Sequence, residues 1–78
     1  MYGTYPASSL VSDAVVGGYS TTISLAKYGL KTPLFANATP RYSGGFPRVA
    51  IHSIASDSIK IGCDVNINNC YIQWMVIG

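Results

Sequence analysis

The sequence predicts an all-β domain, a small antiparallel β-sandwich, on two observations. Val, Ile, Thr and Tyr recur along the 78 residues, whereas Glu is absent and Gln occurs once. β-Branched and aromatic residues favour strands, while Glu and Gln favour helices. Turn residues such as Gly17-Gly18, Thr39-Pro40 and Gly44-Gly45 interrupt the chain about every ten residues, a spacing typical of sandwiches and barrels.

The composition also predicts an oligomer. Hydrophobic residues make up 49% of the chain and charged residues 10%, against about 25% charged residues in average proteins. A domain of this length buries only about 60% of the surface that its unfolded chain exposes. No apolar run approaches the roughly 20 residues of a membrane span, and no signal peptide is visible at the start. We therefore expect copies of the chain, rather than a membrane, to cover the excess apolar surface.

Residues 1–18 are predicted to form an N-terminal arm or linker with a possible first strand, followed by a sandwich domain over 19–78. The first nine residues carry Gly, Pro and Ser, and the apolar residues that follow fit a helical turn as well as a strand. The sandwich domain begins with a predicted strand over 19–26. Its alternation places Ile23 and Leu25 on one side, because side chains of a strand point to opposite faces in turn.

Two further strands are predicted in the middle of the chain. The first covers 33–38, with a proline at its beginning, where a missing N–H is tolerated. The second covers 48–53, with Val49 and Ile51 pointing inward. The alternation then slips at Ser53-Ile54, which predicts a β-bulge or the end of the strand.

The two clearest strands, over 58–65 and 70–77, are predicted to pair as neighbours. A register in which paired residue numbers sum to 133 separates an apolar face from a mixed face, and a slip by one residue would destroy that separation. The apolar pairs in this register are Cys63 with Cys70, Ile61 with Ile72, and Ile59 with Trp74.

The facing cysteines make Cys63 and Cys70 a disulfide candidate, and the alternative is a pair of buried thiols in reducing cytosol. Their spacing matches no zinc pattern, so no metal is expected. The candidate for catalysis is a nucleophilic pair of a cysteine and His52. An apolar environment, however, raises the pKa of a thiol and makes it inert. The sequence therefore predicts no enzyme and no cofactor.

The loop over 41–48 is the first candidate for ligand contacts, because it combines aromatic rings, arginines and glycines. Aromatic rings pack on the C–H side of a sugar, and Arg and Ser bond its hydroxyls. The alternative is a plain hairpin loop whose Phe46 packs under the core. The basic residues are scattered, which argues against nucleic acid. The predicted ligand-binding residues are Arg41, Tyr42, Arg48, His52, Asn66 and Asn68, although turn chemistry alone explains the asparagines.

Residues 71–78 read Tyr-Ile-Gln-Trp-Met-Val-Ile-Gly. This stretch resembles the ending of bacteriophage tail-fibre C-terminal tip domains, where an aromatic residue and a Trp precede two or three aliphatic residues and a Gly. The likeness extends over residues 20–78. That family resembles the H-type lectins in fold, a small antiparallel β-sandwich. The resemblance therefore implies an intertwined or tightly packed homotrimer. The interface candidates are Tyr71, Met75 and Ile77, and the alternative is that these side chains contact the second sheet.

The resemblance also implies a function, which is binding of a host cell-surface glycan or protein receptor by a trimeric tail-fibre or tailspike domain. Such a domain is made in the bacterial cytoplasm and lies in the virion, at the distal end of the fibre. Its partners would be its own copies, the receptor, and an upstream fibre shaft if the chain is part of a longer protein. The alternative is a trimerisation and folding cap, an assembly chaperone without receptor binding. A stand-alone bacterial lectin is a third interpretation.

Overall fold

Two antiparallel β-sheets pack face to face around one apolar core. The computed structural model describes residues 2–25 and 35–77. A small sheet has the strand order β1-β7-β4, and a large sheet has the order β2-β3-β6-β5. The strands are β1 (Tyr2–Pro6), β2 (Val11–Asp13), β3 (Gly18–Ser24), β4 (Phe35–Arg41), β5 (Val49–Ile54), β6 (Ser58–Cys63) and β7 (Tyr71–Ile77). The predicted all-β fold with antiparallel sheets is confirmed.

The alternating pattern of the strands determines which side chains enter the core. Along β7 every second residue is buried, so that Ile72, Trp74 and Val76 point inward. Ile59 and Ile61 of β6 point inward from the other sheet, and both are fully buried. Because each sheet contributes one apolar face, the core lies between the two sheets.

The predicted pairing of the last two strands is wrong, because β6 and β7 lie in different sheets. β6 pairs with β3 and β5, whereas β7 pairs with β1 and β4. The residues assigned to the apolar face of both strands are nevertheless the buried ones. Two strands that each have a strongly apolar face can pack face to face across a core as well as side by side in a sheet. The segment 64–70 therefore crosses between sheets instead of closing a hairpin.

The N-terminal residues form paired strands, where the sequence predicts an arm with a possible first strand. β1 is an edge strand of the small sheet, and β2 is an edge strand of the large sheet. A 3₁₀ turn, Ala7–Ser9, joins them. Ala7 is fully buried, and its N–H donates to the carbonyl of Cys70 at 2.9 Å. This segment therefore connects the two sheets at one end of the sandwich.

The two predicted middle strands are present, but their bounds differ from those predicted. β4 continues to Arg41, so Thr39-Pro40 lies within a strand and not in a turn. A proline is tolerated there because β4 is an edge strand, whose outward backbone groups need no partner. Pro33, the predicted start of this strand, lies outside the described residues. β5 does contain an irregularity, but the register shift lies between Ile51 and Ser53, before the predicted position at Ser53-Ile54, where the strand stays paired with β6.

No helix in residues 2–25 and 35–77 has the length and hydrophobicity needed to cross a membrane.

Candidate binding surfaces

The outward-pointing side chains of the small sheet form one continuous surface, which we call the outer face. It has one charged residue in the described strands, Arg41, and that charge lies at one end. The registers of β1 and β4 on β7 bring its members together: Tyr2, Thr4, Pro6, Phe35, Asn37, Thr39, Arg41, Tyr71, Gln73, Met75 and Ile77. A sheet surface with so few charges is unusual for a side in contact with water.

The apolar end of the outer face consists of Tyr2, Phe35, Met75 and Ile77. Tyr2 pairs with Met75 in the register, and Phe35 pairs with Ile77. Their exposed fractions are 84% for Tyr2, 53% for Phe35, 42% for Met75 and 54% for Ile77. Large apolar side chains gathered on one surface mark a site of interaction. Met75 and Ile77 are two of the three predicted interface candidates, and the structure places Tyr2 and Phe35 beside them. The third candidate, Tyr71, lies at the opposite end of the face.

The opposite end of the outer face contains a pocket that we call the Arg41 pocket. Arg41 and Tyr71 are register partners on β4 and β7, and the guanidinium carbon of Arg41 lies 5.5 Å from the centre of the Tyr71 ring. A cation at this distance from an aromatic ring is attracted to its π-electrons. The cavity has a volume of about 390 Å³ and is lined by Arg41, Tyr42, Ser43, Asn69 and Tyr71.

Local backbone geometry fixes two walls of the Arg41 pocket. The half-buried ring of Tyr42 packs against the core and over Gly44, where a Cβ atom would lie 2.6 Å from the tyrosine hydroxyl. Asn69 has a φ of 61°, and Asn tolerates this left-handed conformation better than most residues. The residue that follows it, Cys70, is buried in the core. The pocket therefore combines Arg41 and Tyr42, which were predicted, with Ser43 and Asn69, which were not.

Arg48 and His52 line a different and larger cavity, of about 780 Å³. This cleft also contains residues from the neighbouring edge strand β4, including Thr39 and Pro40. Both side chains are exposed. The backbone of Arg48 is fixed by Asp64, whose carboxylate accepts its N–H at 2.9 Å. The structure thus separates Arg48 and His52 from Arg41 and Tyr42.

The two predicted asparagines lie in the loop between β6 and β7. Asn66 has a structural contact, since its side-chain amide donates to the carbonyl of Leu10 at 2.6 Å. This hydrogen bond fixes the loop to the segment that joins the two sheets. Asn68 is exposed in the same loop. Neither asparagine lines the Arg41 pocket, whose asparagine is Asn69.

The packing predicted for Phe46 under the core is wrong. Its side chain is fully exposed, with a relative accessibility of 102%. The loop is anchored instead by Tyr42, which packs against the core.

Cys63 and Cys70 are both buried thiols that belong to the core. Burial raises the pKa of both thiols above the usual range, so the reactive thiolate form is disfavoured. The strand pairing that placed them opposite each other is not the one observed, and a disulfide between them stays a prediction. No group of three His, Cys, Asp or Glu side chains suited to a metal occurs within the described ranges.

The outward side of the large sheet carries a polar cluster that the sequence did not indicate. Lys60 forms an ion pair with the carboxylate of Asp13 at 2.8 Å, and the hydroxyl of Ser20 donates to the same carboxylate at 2.8 Å. The hydrogen bond from Lys60, followed by that from Ser20, holds the pKa of Asp13 well below its usual range. Asp13 also accepts the N–H of Val15 at 2.9 Å, which fixes the turn between β2 and β3.

Comparison of this chain with protein-family models, with curated proteins and with solved structures finds no match.

Proposed function

We propose that this domain is the trimeric tip of a phage tail fibre or tailspike, and that it binds a glycan or protein receptor on the host cell. Two things support the proposal. The sequence of the last strand resembles the ending of such tip domains, as described above. The observation that carries the proposal is the outer face of the small sheet, which exposes five large hydrophobic residues and a single charge.

The outer face suits contact with a second copy of the same chain. Around the axis of a cyclic trimer three equivalent surfaces approach one another, so a surface without like charges can lie there without repulsion. The apolar end meets this condition, since none of Tyr2, Phe35, Met75 and Ile77 is charged. Burial of apolar surface stabilises an assembly by about 25 cal/mol per Å². Three copies, the number implied by the resemblance, would meet through these residues.

Receptor binding is assigned to the other end of the same face. Tyr71 and Ile77 are six residues apart on β7, which corresponds to about 20 Å at the rise of an antiparallel strand. Thr4, Thr39 and Gln73 form a polar row between the two ends. A trimer closed through the apolar end would therefore leave the Arg41 pocket open to a ligand.

The alternative function is a trimerisation and folding cap without a receptor. The apolar end of the outer face supports this alternative equally, because it requires assembly and no ligand. The two functions differ in whether the assembled domain binds a cell surface. The cap should leave host cells and glycans unbound, whereas a parent chain without the domain should fail to assemble.

Sedimentation equilibrium of the wild-type domain at micromolar concentration tests assembly, and we expect the mass of three chains. A stable monomer would contradict both functions. Binding of the labelled trimer to host cells and to a glycan array then tests the receptor. We expect capture on host cells for the tip. A trimer that binds neither cells nor glycans supports the cap.

A further inference from the structure

Arg41 carries a charge without an acidic partner in the described part of the chain. None of the residues lining its pocket is acidic. The sequence contains three acidic residues, all aspartates, and each lies elsewhere. Asp13 pairs with Lys60, Asp64 accepts a backbone N–H at the start of β5, and Asp57 lies in the turn between β5 and β6. An exposed guanidinium in a pocket without acids favours an anionic ligand.

Tyr71 positions this guanidinium. The ring lies 5.5 Å from the guanidinium carbon, and the two residues are cross-strand partners. A guanidinium that lies against a ring can still donate its N–H groups, which point outward in the guanidinium plane. Two of these parallel N–H groups match the two oxygens of a carboxylate or a phosphate.

The rest of the pocket suits a sugar ring. Ser43 and Asn69 are exposed, and they supply a hydroxyl and an amide that can bond sugar hydroxyls. The half-buried ring of Tyr42 forms an apolar wall. The volume of about 390 Å³ lies within the range of small-molecule sites, about 300 to 1,000 Å³.

We propose that the Arg41 pocket binds a negatively charged sugar, with the anionic group on Arg41 and the hydroxyls on Ser43 and Asn69. This inference rests on the proposed receptor-binding function and names the chemistry of the ligand. The anion is a carboxylate, as in a uronic acid, or a phosphate, as in a phosphorylated hexose. Both groups offer the same oxygens to the guanidinium.

The first test compares three sugars that differ only at carbon 6: glucuronic acid, glucose 6-phosphate and glucose. Titration of the wild-type assembly, followed by NMR, gives each affinity. We expect at least one anionic sugar to bind about tenfold or more tightly than glucose, because only the anionic sugars can form charge-assisted hydrogen bonds with the guanidinium. The comparison of the two anionic sugars distinguishes a carboxylate from a phosphate. Binding should weaken as salt rises.

Substitutions then locate the site. Arg41→Gln should weaken binding of the anionic sugar about tenfold and leave glucose unchanged. Arg48→Gln is the matched control, since the sequence grouped Arg48 with Arg41 but the structure places this exposed arginine in a separate cavity. It should change the affinity less than about twofold. Asn69→Gly removes the amide and keeps the φ of 61° without strain. It should weaken all three sugars alike.

The inference fails if the anionic sugars bind no better than glucose, if none of the three binds, or if Arg41→Gln binds like the wild type. A fold check by NMR accompanies each variant, and Asn69→Gly provides an independent test of the same pocket. The proposed function has a separate criterion. If the wild-type trimer still captures host cells while the sugar test fails, the receptor function stands and the assignment of this pocket falls. If host cells are also not captured, both fall.

Discussion

The outward sides of the two sheets differ in how the chain itself covers them. On the large sheet, Val16 folds over Gly62, and the ion pair between Asp13 and Lys60 lies beside them. Ser20, on the same side, is buried. The small sheet has no such cover in the described residues, and its outer face exposes Tyr2, Phe35, Tyr71, Met75 and Ile77.

This difference shows where the apolar excess of the sequence goes. The central strands of the large sheet follow the ordinary pattern, with Ile59 and Ile61 inside and Ser24 and Lys60 outside, and its exposed valines, Val11 and Val15, lie on the edge strand β2 and in the turn after it. The small sheet alternates between a buried apolar face and an exposed face on which five large hydrophobic side chains lie beside polar ones. Folding requires the buried face of the small sheet, and it does not explain the exposed side chains of Phe35 and Met75. We infer that the exposed hydrophobic side chains of the outer face serve an intermolecular contact.

The largest effect is expected on self-association, from the substitution Met75→Asp near the centre of the apolar end. Met75 pairs with Tyr2 and Asn37 in the register and is 42% exposed. An aspartate buried there by a second copy would lose its hydration without gaining a partner. We expect self-association to weaken about 100-fold or more, which corresponds to about 2.7 kcal/mol. Sedimentation equilibrium measures this change.

The control for this substitution lies on the large sheet. Ser24→Asp places the same side chain at an exposed position at the end of β3. It should leave the trimer mass and its dissociation constant unchanged. Equal loss of assembly in both variants would indicate a general effect of charge and would contradict an interface on the outer face.

The next largest effect is expected on the free energy of unfolding, from the substitution Gly62→Ala on the large sheet. A Cβ atom at this position would lie 2.7 Å from a methyl carbon of Val16, so the covering segment has to move. Overpacking of this kind typically costs about 1 to 3 kcal/mol. The same change at Gly45 meets its nearest atom at 3.8 Å, and it should cost less than about 0.5 kcal/mol. Urea denaturation measures both, and equal values would mean that Val16 does not cover the sheet.

A smaller effect on stability is expected from the substitution Asp13→Asn, and its size depends on pH. Because the pKa of Asp13 is lowered by Lys60 and Ser20 from its ordinary value of 3.8, the carboxylate stabilises the fold above that value. This contribution is lost as the pH falls through the lowered pKa. The wild type should therefore lose stability between about pH 4 and pH 2, and Asp13→Asn should lose less over the same range.

Thermal melts at several pH values measure this difference. The asparagine keeps an oxygen that can accept the N–H of Val15, so the turn between β2 and β3 is retained. Asp57→Asn is the control, since this exposed aspartate forms no ion pair in the described residues. It should keep the acid sensitivity of the wild type. An unchanged acid profile in Asp13→Asn would contradict the role of the ion pair.

The sequence predicted which residues face the core better than it predicted which strands pair. The alternation along β6 and β7 is a local property, and it identified Ile59, Ile61, Ile72 and Trp74 correctly. Pairing depends on the loop over 64–70, which crosses between the sheets. An apolar face is satisfied equally by a neighbour in the sheet or by a strand across the core, so alternation alone does not distinguish the two.

Only part of the candidate site could be predicted, because local sequence does not reveal which strands pair. Arg41 and Tyr42 are adjacent in sequence, and the composition of their loop indicated them. Tyr71 and Asn69 reach the same pocket only because β4 pairs with β7. The sequence places Tyr2 in an arm, because its short segment becomes a strand only by pairing with the free edge of β7. Long-range pairing, rather than local composition, brings these residues together.

The smallest effect is expected from Tyr2→Ser, at the rim of the outer face. Tyr2 is 84% exposed on the edge strand β1, and residues at the rim of an interface contribute less than those at its centre. We expect self-association to weaken less than about tenfold, and the stability of the isolated chain to change by less than about 0.5 kcal/mol. Val15→Ser is the matched control, because Val15 is 80% exposed in the turn between β2 and β3. Sedimentation of both variants should show weaker assembly for Tyr2→Ser alone, and the reverse order would move the interface to the large sheet.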